Sequence, residues 1–281
     1  MEYKTIKFEL QKNGIGFLTF NRAEKSNAIS FQMVEELHSI FDMLMINLDC
    51  RVLIMKAEGK IFNAGQDLKD ALVLKSKKKP ENLKNYYFLE VPEIIKGIMY
   101  YQWRIAEIIV KMRKISQPII SIIQGPAIGA GFSITMATDI RIASKEAKFN
   151  AGYINIGLTG SDMGSSYFLP RLVGMSRAAE LLYTGRFFNA DEALDIGFIL
   201  KIVEKDKLLE SAMEIAEELL SKSPLGLRMT KQAINLSLDS PSLETIIQLE
   251  NRGQVLCSNS KDVMEAFNAY MEKRKPKFPL G

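Results

Sequence analysis

The reading of the fold turns on Gln124-Gly125-Pro126-Ala127-Ile128-Gly129-Ala130-Gly131-Phe132. A mostly β-branched run, Ile119 to Ile123, precedes this segment, and an apolar stretch, Phe132 to Ala137, follows it. That order predicts a buried strand, a tight turn and the start of a buried helix. Glycine admits positive φ and lets a ligand approach the backbone closely. The first N–H groups of a helix have no partner within it, and the helix dipole adds positive potential there. The turn therefore suits a phosphate or a developing oxyanion. By itself it is a generic anion cradle, and it specifies a reaction only with a second donor and an acid or base nearby.

Composition narrows the chemistry that such a cradle can serve. With 281 residues, 47% of them hydrophobic, the chain can form one large domain or a domain with a smaller helical appendage. No stretch approaches the roughly 18–20 apolar residues of a membrane span. The N-terminus, Met1-Glu2-Tyr3-Lys4, lacks a signal-peptide core. Cys50 and Cys257 stand far apart, suggest no disulfide framework and fit a reducing cytosol, so a cytoplasmic location is expected. A net charge of +4 permits an anionic ligand without arguing for nucleic acid. The single histidine, His38, falls in a predicted helix beside Glu35, Glu36 and Ser39 and reads as solvated. One histidine and two isolated cysteines leave almost no room for a His-based triad or a zinc cluster, so no metal site is expected. Acid–base work then falls to carboxylates, Tyr, Lys or water.

Around the turn, the chain alternates strands and helices before becoming helical. Thr5 to Leu10 and Gly16 to Phe20 read as a hairpin turning at Asn13-Gly14. Ser30 can cap a helix from Phe31 to Asn47, and Val52 to Ala57 is a buried strand running into a second small-residue turn, Asn63-Ala64-Gly65-Gln66-Asp67. Lys69 to Lys84, with Lys75, Lys77, Lys78 and Lys79, reads as a solvated loop, with RNA contact as its alternative. Glu93 to Met112 has helical spacing, and its aromatics, Tyr100, Tyr101 and Trp103, read as core packing. A strand at Asp139 to Ala143 precedes a loop-like region, Phe149 to Gly164, that can line a site. Later elements are a helix at Ala190 to Ile196, a strand at Phe198 to Val203, and helices at Lys207 to Ser221, Leu225 to Leu238, Leu243 to Cys257 and Lys261 to Lys275. The fold class is α/β with a helical C-terminal region. We expect a core over residues 1–200 and a helical oligomerisation region over residues 201–281.

These motifs, taken in order, make the chain resemble the crotonase superfamily of enoyl-CoA hydratases and isomerases. The resemblance spans nearly the whole length. It rests on Phe20-Asn21-Arg22 with Asn27-Ala28, on Phe62-Asn63-Ala64-Gly65-Gln66-Asp67-Leu68, and on the Gly125 to Gly131 turn followed by Ala137-Thr138-Asp139-Ile140-Arg141. Further along it rests on Leu169-Pro170-Arg171-Leu172-Val173-Gly174, Leu182-Tyr183-Thr184-Gly185-Arg186 and Tyr270-Met271-Glu272-Lys273-Arg274. The resemblance implies a spiral of ββα units with a C-terminal trimerisation region, assembled as a homotrimer or a dimer of trimers. Fatty acid metabolism is the implied setting, with an acyl-CoA substrate and no cofactor beyond the coenzyme A of that thioester. It also implies an oxyanion hole for the thioester carbonyl, whose donors fall on the N–H groups of Gln66 and Ala130, with Gly129 among the substrate-binding residues. Ala28, Ala64, Asp67 and Leu68 would surround coenzyme A, with Arg22 and Lys25 near its phosphates. Tyr270 and Lys273 would reach coenzyme A from the C-terminal region, although Lys273 also reads as a solvated basic helix end.

Two positions depart from that pattern. The glutamates with which typical hydratases activate water align with Ser133 and Tyr153, and neither is a carboxylate. Ser and an ordinary Tyr are poor bases near neutral pH. Asp162 stands where isomerase-type relatives carry an Asp, so the resemblance makes it the candidate acid–base. Ser133 and Tyr153 then line the pocket. Hydration or isomerisation of an unsaturated acyl-CoA is the expected activity. The alternatives are hydrolysis of a thioester or C–C bond on the same scaffold, and a CoA-binding or RNA-contacting protein with little hydratase activity.

Overall fold

The computed structural model describes residues 3–70, 92–239 and 242–278. The lysine run Lys75–Lys79 lies outside them. Strand β1 (Ile6–Leu10) pairs antiparallel with β2 (Ile15–Phe20), forming the expected hairpin. The Ser30 side chain accepts the Met33 N–H and caps α1 (Phe31–Ile46). Next come β3 (Val52–Ala57), α2 (Glu93–Lys114) and β4 (Ile119–Ile123). The glycine turn then carries β5 (Ala127–Ile128) and opens α3 (Ala130–Ala137), which leads into β6 (Ile140–Ala143) and β7 (Lys148–Asn150).

Helices α4 (Ser165–Val173) and α5 (Met175–Thr184) follow, although the sequence pattern predicts no element there. Pro170 inside α4 and Gly174 between the two helices look like breakers and hide the helical period. The chain continues through β8 (Phe188–Asn189), α6 (Ala190–Asp195) and β9 (Lys201–Ile202). It ends with α7 (Leu208–Leu220), α8 (Pro224–Ser237), α9 (Leu243–Ser258) and α10 (Lys261–Met271). The strand expected from Phe198 shrinks to Lys201–Ile202 because the N–H groups of Phe198 and Ile199 both go to the Ala193 carbonyl of α6, while the Phe198 ring joins an aromatic cluster 5.3 Å from Phe132 and 5.0 Å from Phe149.

The larger sheet has the order β1-β2-β3-β4-β6-β9 and is parallel from β2 onward, while β5, β7 and β8 form a second, three-stranded sheet. Parallel strands are covered on both faces, which is why they read as unbroken apolar runs. Successive side chains point to opposite faces. Leu18, Phe20, Leu53, Met55, Ile119 and Ile123 pack in the main core with α1, α2 and α3. Phe17, Val52, Ile54, Ile120, Ile122 and Ile142 pack beneath α7, which offers Leu208, Ala212 and Ala216 from one face.

The sheet and its cover run past residue 200 through β9 and α7. One expectation is corrected by this packing. His38 is 3% exposed, not solvated: it lies on the buried face of α1 with Leu37 and Phe41, its Nε2 2.8 Å from the Arg104 carbonyl on α2. Burial holds its pKa below the ordinary value.

Helix α8 is tied to the core by a buried ion cluster. Lys231 donates to the Gln117 carbonyl at 2.7 Å and pairs at 2.9 Å with Asp139, which also pairs with Arg113 at 2.8 Å. Beyond it, α9 buries no residue and α10 buries only Ala269. Met264, Phe267, Tyr270 and Met271 are each at least 60% exposed on this arm.

Candidate active site

Three segments lie side by side under the glycine turn. The Pro126 carbonyl accepts the N–H groups of Phe62 and Asn63, and Ile128 N–H donates to the Asn63 carbonyl at 2.9 Å. Ile29 N–H donates to the Gly65 carbonyl at 2.8 Å, and Asp67 N–H returns to the Ile29 carbonyl at 2.9 Å. Two buried asparagines lock the arrangement. Asn27 donates to the carbonyls of Glu58 and Ile61 and accepts the Arg22 N–H, while Asn63 donates to the Asn27 carbonyl and accepts the Gly65 N–H. The asparagines of the sequence motifs therefore hold the loops together.

Contact between the two glycine-bearing turns is tight. A Cβ on Gly131 would stand 2.5 Å from the Asn63 carbonyl oxygen, and one on Gly65 would stand 2.9 Å from the Ile128 carbonyl and 3.4 Å from Ala130 N. Side chains at these positions would force the turns apart. Within the pair, Gly129 donates to the Asn150 carbonyl and accepts the Ser133 N–H. Ala130 is the first residue of α3, so its N–H lacks an intrahelical partner. On the facing segment the bridge between Ile29 and Gln66 uses the groups of Gly65 and Asp67 and leaves the Gln66 N–H unused. Neither the Gln66 nor the Ala130 N–H meets an acceptor among the described residues, although Ala130 is only 3% exposed. Buried N–H groups are rarely left unpaired.

One wall beside these donors is built from Ser133, Tyr153 and Asp162. The Tyr153 ring lies 3.5 Å from where a Gly129 Cβ would be, so it packs on the turn itself. Its hydroxyl is 2.9 Å from Ser133 Oγ, and Ser133 Oγ donates to the Asp162 carbonyl at 3.0 Å. Serine has one hydroxyl proton, so Tyr153 is the donor within this chain of bonds. Burial pushes the Tyr153 phenol above its ordinary pKa, which keeps it neutral. The positions that align with two glutamates are thus bonded directly to each other. Asp162 is the carboxylate on this wall. Its Oδ1 accepts the Met163 N–H at 2.7 Å and a hydrogen bond from Gln102 Nε2. Burial raises its pKa, and these two bonds offset part of that rise.

Three of the positions that the resemblance gives to coenzyme A, Arg22, Ala28 and Asp67, are joined to one another. Arg22 pairs with Asp67 at 2.7 Å and donates to the Ala28 carbonyl at 3.0 Å, so part of its guanidinium is engaged within the protein. Burial pulls the Asp67 carboxyl up, but Arg22 and backbone N–H groups outweigh it and leave the pKa below the ordinary value. Lys25 and Leu68 are exposed, and Ala28 and Ala64 are half-buried. Tyr270 and Lys273 are exposed on the C-terminal arm; Lys273, at φ 52, ends α10 short of the expected Lys275.

Sequence reasoning missed two residues of α2. Gln102 is invisible as a site residue until α2 is docked over Asp162. Tyr101, read as core packing, is 4% exposed and stacks edge-on against Phe31 at 4.7 Å. Its hydroxyl has no partner of hydrogen-bond geometry among the described residues, yet it lies close enough to the Gln66 side chain and to Asp162 to feel both. Burial, then the nearby carboxylates, push this phenol well above its ordinary pKa. No group of three His, Cys, Asp or Glu among the described residues can hold a metal ion, and none of their helices is long and apolar enough to cross a membrane.

Paired turns with unused backbone N–H groups, beside a wall that carries a carboxylate, on a sheet that is parallel from β2 onward, suit a class of enzyme that polarises a carbonyl. Comparison with known proteins specifies the class. The family model for enoyl-CoA hydratase/isomerase matches residues 10–95 and 98–279. A Mycobacterium tuberculosis protein described as "Probable enoyl-CoA hydratase EchA12" is 35% identical over 94% of this chain and 89% of its own length. The 1,2-epoxyphenylacetyl-CoA isomerase of Escherichia coli is 30% identical over 95% of both chains. The crystal structure of an enoyl-CoA hydratase from Bacillus anthracis superposes with a TM-score of 0.86 at 29% identity, covering 98% of this chain and 99% of that one. This chain belongs to the enoyl-CoA hydratase/isomerase family of the crotonase superfamily.

Proposed function

We propose that this enzyme isomerises the double bond of an unsaturated acyl-CoA, with Asp162 as its one acid–base. The Ser133–Tyr153 hydrogen bond carries this reading, because it occupies both positions where a water-activating pair would sit. The N–H groups of Gln66 and Ala130 receive the thioester oxygen and stabilise the charge that develops as the dienolate forms. Ionised Asp162 takes the α-proton of a 3-enoyl thioester and returns it at the γ-carbon, giving the 2-enoyl product. A carboxylate with a raised pKa suits both halves of that transfer. Coenzyme A enters only as part of the substrate, held near Arg22, Lys25, Ala28, Ala64, Asp67 and Leu68.

Hydration of a 2-enoyl-CoA by water held on Asp162 alone is the second reading, favoured by the hydratase name of the 35% identical relative. Turnover of 2-enoyl, 3-enoyl and dienoyl thioesters by wild type and Asp162→Asn separates the two. Undiminished turnover of the preferred substrate in the variant would remove Asp162 from the mechanism. Release of free thiol instead of an isomer would transfer the activity to thioester hydrolysis.

The exposed apolar residues of α9 and α10 support a homotrimer or a dimer of trimers, in which Tyr270 and Lys273 reach coenzyme A bound to a neighbouring copy. Light scattering that gives a monomer mass at micromolar protein would refute it.

A further inference from the structure

Tyr101 is the side chain that the proposed mechanism leaves unused. Buried tyrosine hydroxyls nearly always find a partner, because an unpaired buried donor is costly. Every other polar group of the wall has one: Tyr153 donates to Ser133, Ser133 to the Asp162 carbonyl, and Gln102 to the Asp162 carboxylate. The Tyr101 hydroxyl has no partner of hydrogen-bond geometry among the described residues, although the residue is 4% exposed and the Gln66 side chain stands beside it. Its ring is fixed edge-on against Phe31, which itself starts α1 and donates its N–H to Asp70 at 2.8 Å. The hydroxyl is therefore held in place, beside the Gln66 side chain on one hand and within electrostatic reach of Asp162 on the other. Gln66 is an oxyanion donor and Asp162 the acid–base in the proposed mechanism, so the space between them is where an acyl chain would run. A neutral phenol there can donate a hydrogen bond but cannot serve as a base near neutral pH.

We propose that Tyr101 is a substrate donor, and that the acyl groups this enzyme takes carry an oxygen acceptor, as a hydroxyl, ether or carbonyl, in place of a plain hydrocarbon chain. The inference rests on the acyl-CoA reading and deepens it by naming the substrate class. A site built around a buried donor discriminates against ligands that leave that donor unpaired.

The test is equilibrium binding of saturated acyl-CoA thioesters, which do not react, so its outcome is independent of how the double bond is processed. Plain hexanoyl-CoA is compared by calorimetry with a series carrying one hydroxyl at C4, C5 or C6. Wild type should bind at least one hydroxylated member about 10- to 100-fold more tightly than hexanoyl-CoA. In Tyr101→Phe that ratio should collapse to about one. Because Phe keeps the ring and removes a hydroxyl without a partner, the variant's Tm should equal or exceed that of wild type. No preferred member in the series, a preference that survives in Tyr101→Phe, or a lower Tm for the variant would each overturn the proposal. Failure of Asp162→Asn to impair turnover, with the binding preference intact, would instead sink the proton-transfer reading and leave this one standing.

Discussion

The glycine turn and the wall beside it are held in place by different means. The donors of the turn are backbone N–H groups, positioned by glycines that let Gly65 and Gly131 touch the facing segment. Identity of the donor residue matters little; closeness of the two chains decides everything. The wall is made of side chains from α2, α3 and the loops before α4, and each atom there is set by its hydrogen-bond partner. A backbone device tolerates change in chemistry but not in volume. A side-chain device shows the reverse sensitivity.

Substitutions on the two sides should show that contrast. Asp162→Asn changes charge without changing volume, and turnover should fall on the order of 100- to 10,000-fold while acyl-CoA binding persists. The same change should raise stability. Burial raises the native pKa of Asp162, so the protonated form is favoured in the folded state and stability is lost as pH rises from the unfolded pKa through the folded one. Thermal melts should therefore show the variant gaining on wild type at pH 8 and not at pH 3. Parallel melts at both pH values would sink this sign.

Gly131→Val adds volume without charge. Its Cβ collides with Asn63, so the turns separate and the paired donors lose their geometry. Turnover should fall on the order of 100- to 1000-fold, with Tm reduced as well. Retention of both would show that the close approach is dispensable. Gln102→Ala is a smaller perturbation. It removes a bond that favours ionised Asp162, so the acid limb of the pH–rate profile should move to higher pH, with little change at the plateau. An unmoved limb would detach Gln102 from the acid–base. Ser133→Ala should have the least effect on rate. It strips the Tyr153 hydroxyl of its acceptor and should cost about 1–3 kcal/mol of stability, measured by denaturant titration.

Much of the turn is legible in the amino-acid sequence alone. Glycine spacing, the run Ile119 to Ile123 and the Asn63-Ala64-Gly65 segment are local signals, and local signals report local backbone geometry. Packing periodicity is legible in part. Strand β4 and the helices from α6 onward fall within a few residues of their expected bounds, but α4 and α5 are hidden by Pro170 and Gly174. His38 misleads because charged neighbours at Glu35 and Glu36 suggest solvent, whereas Glu36 itself is buried and accepts the N–H groups of Lys4 and Thr5 at 2.9 Å.

What the sequence by itself determined is the scaffold and the paired glycine turns, because both arise from backbone conformation that glycine, proline and apolar period dictate locally. Asp162 could be nominated from sequence, but its setting could not. Only tertiary structure brought Gln102 of α2 onto Asp162, joined Ser133 to Tyr153, and left the Tyr101 hydroxyl without a hydrogen-bond partner among the described residues. The physical reason is range: a backbone turn is set by neighbours within a few residues, whereas a side chain's pKa and hydrogen bonds are set by whatever the fold places against it.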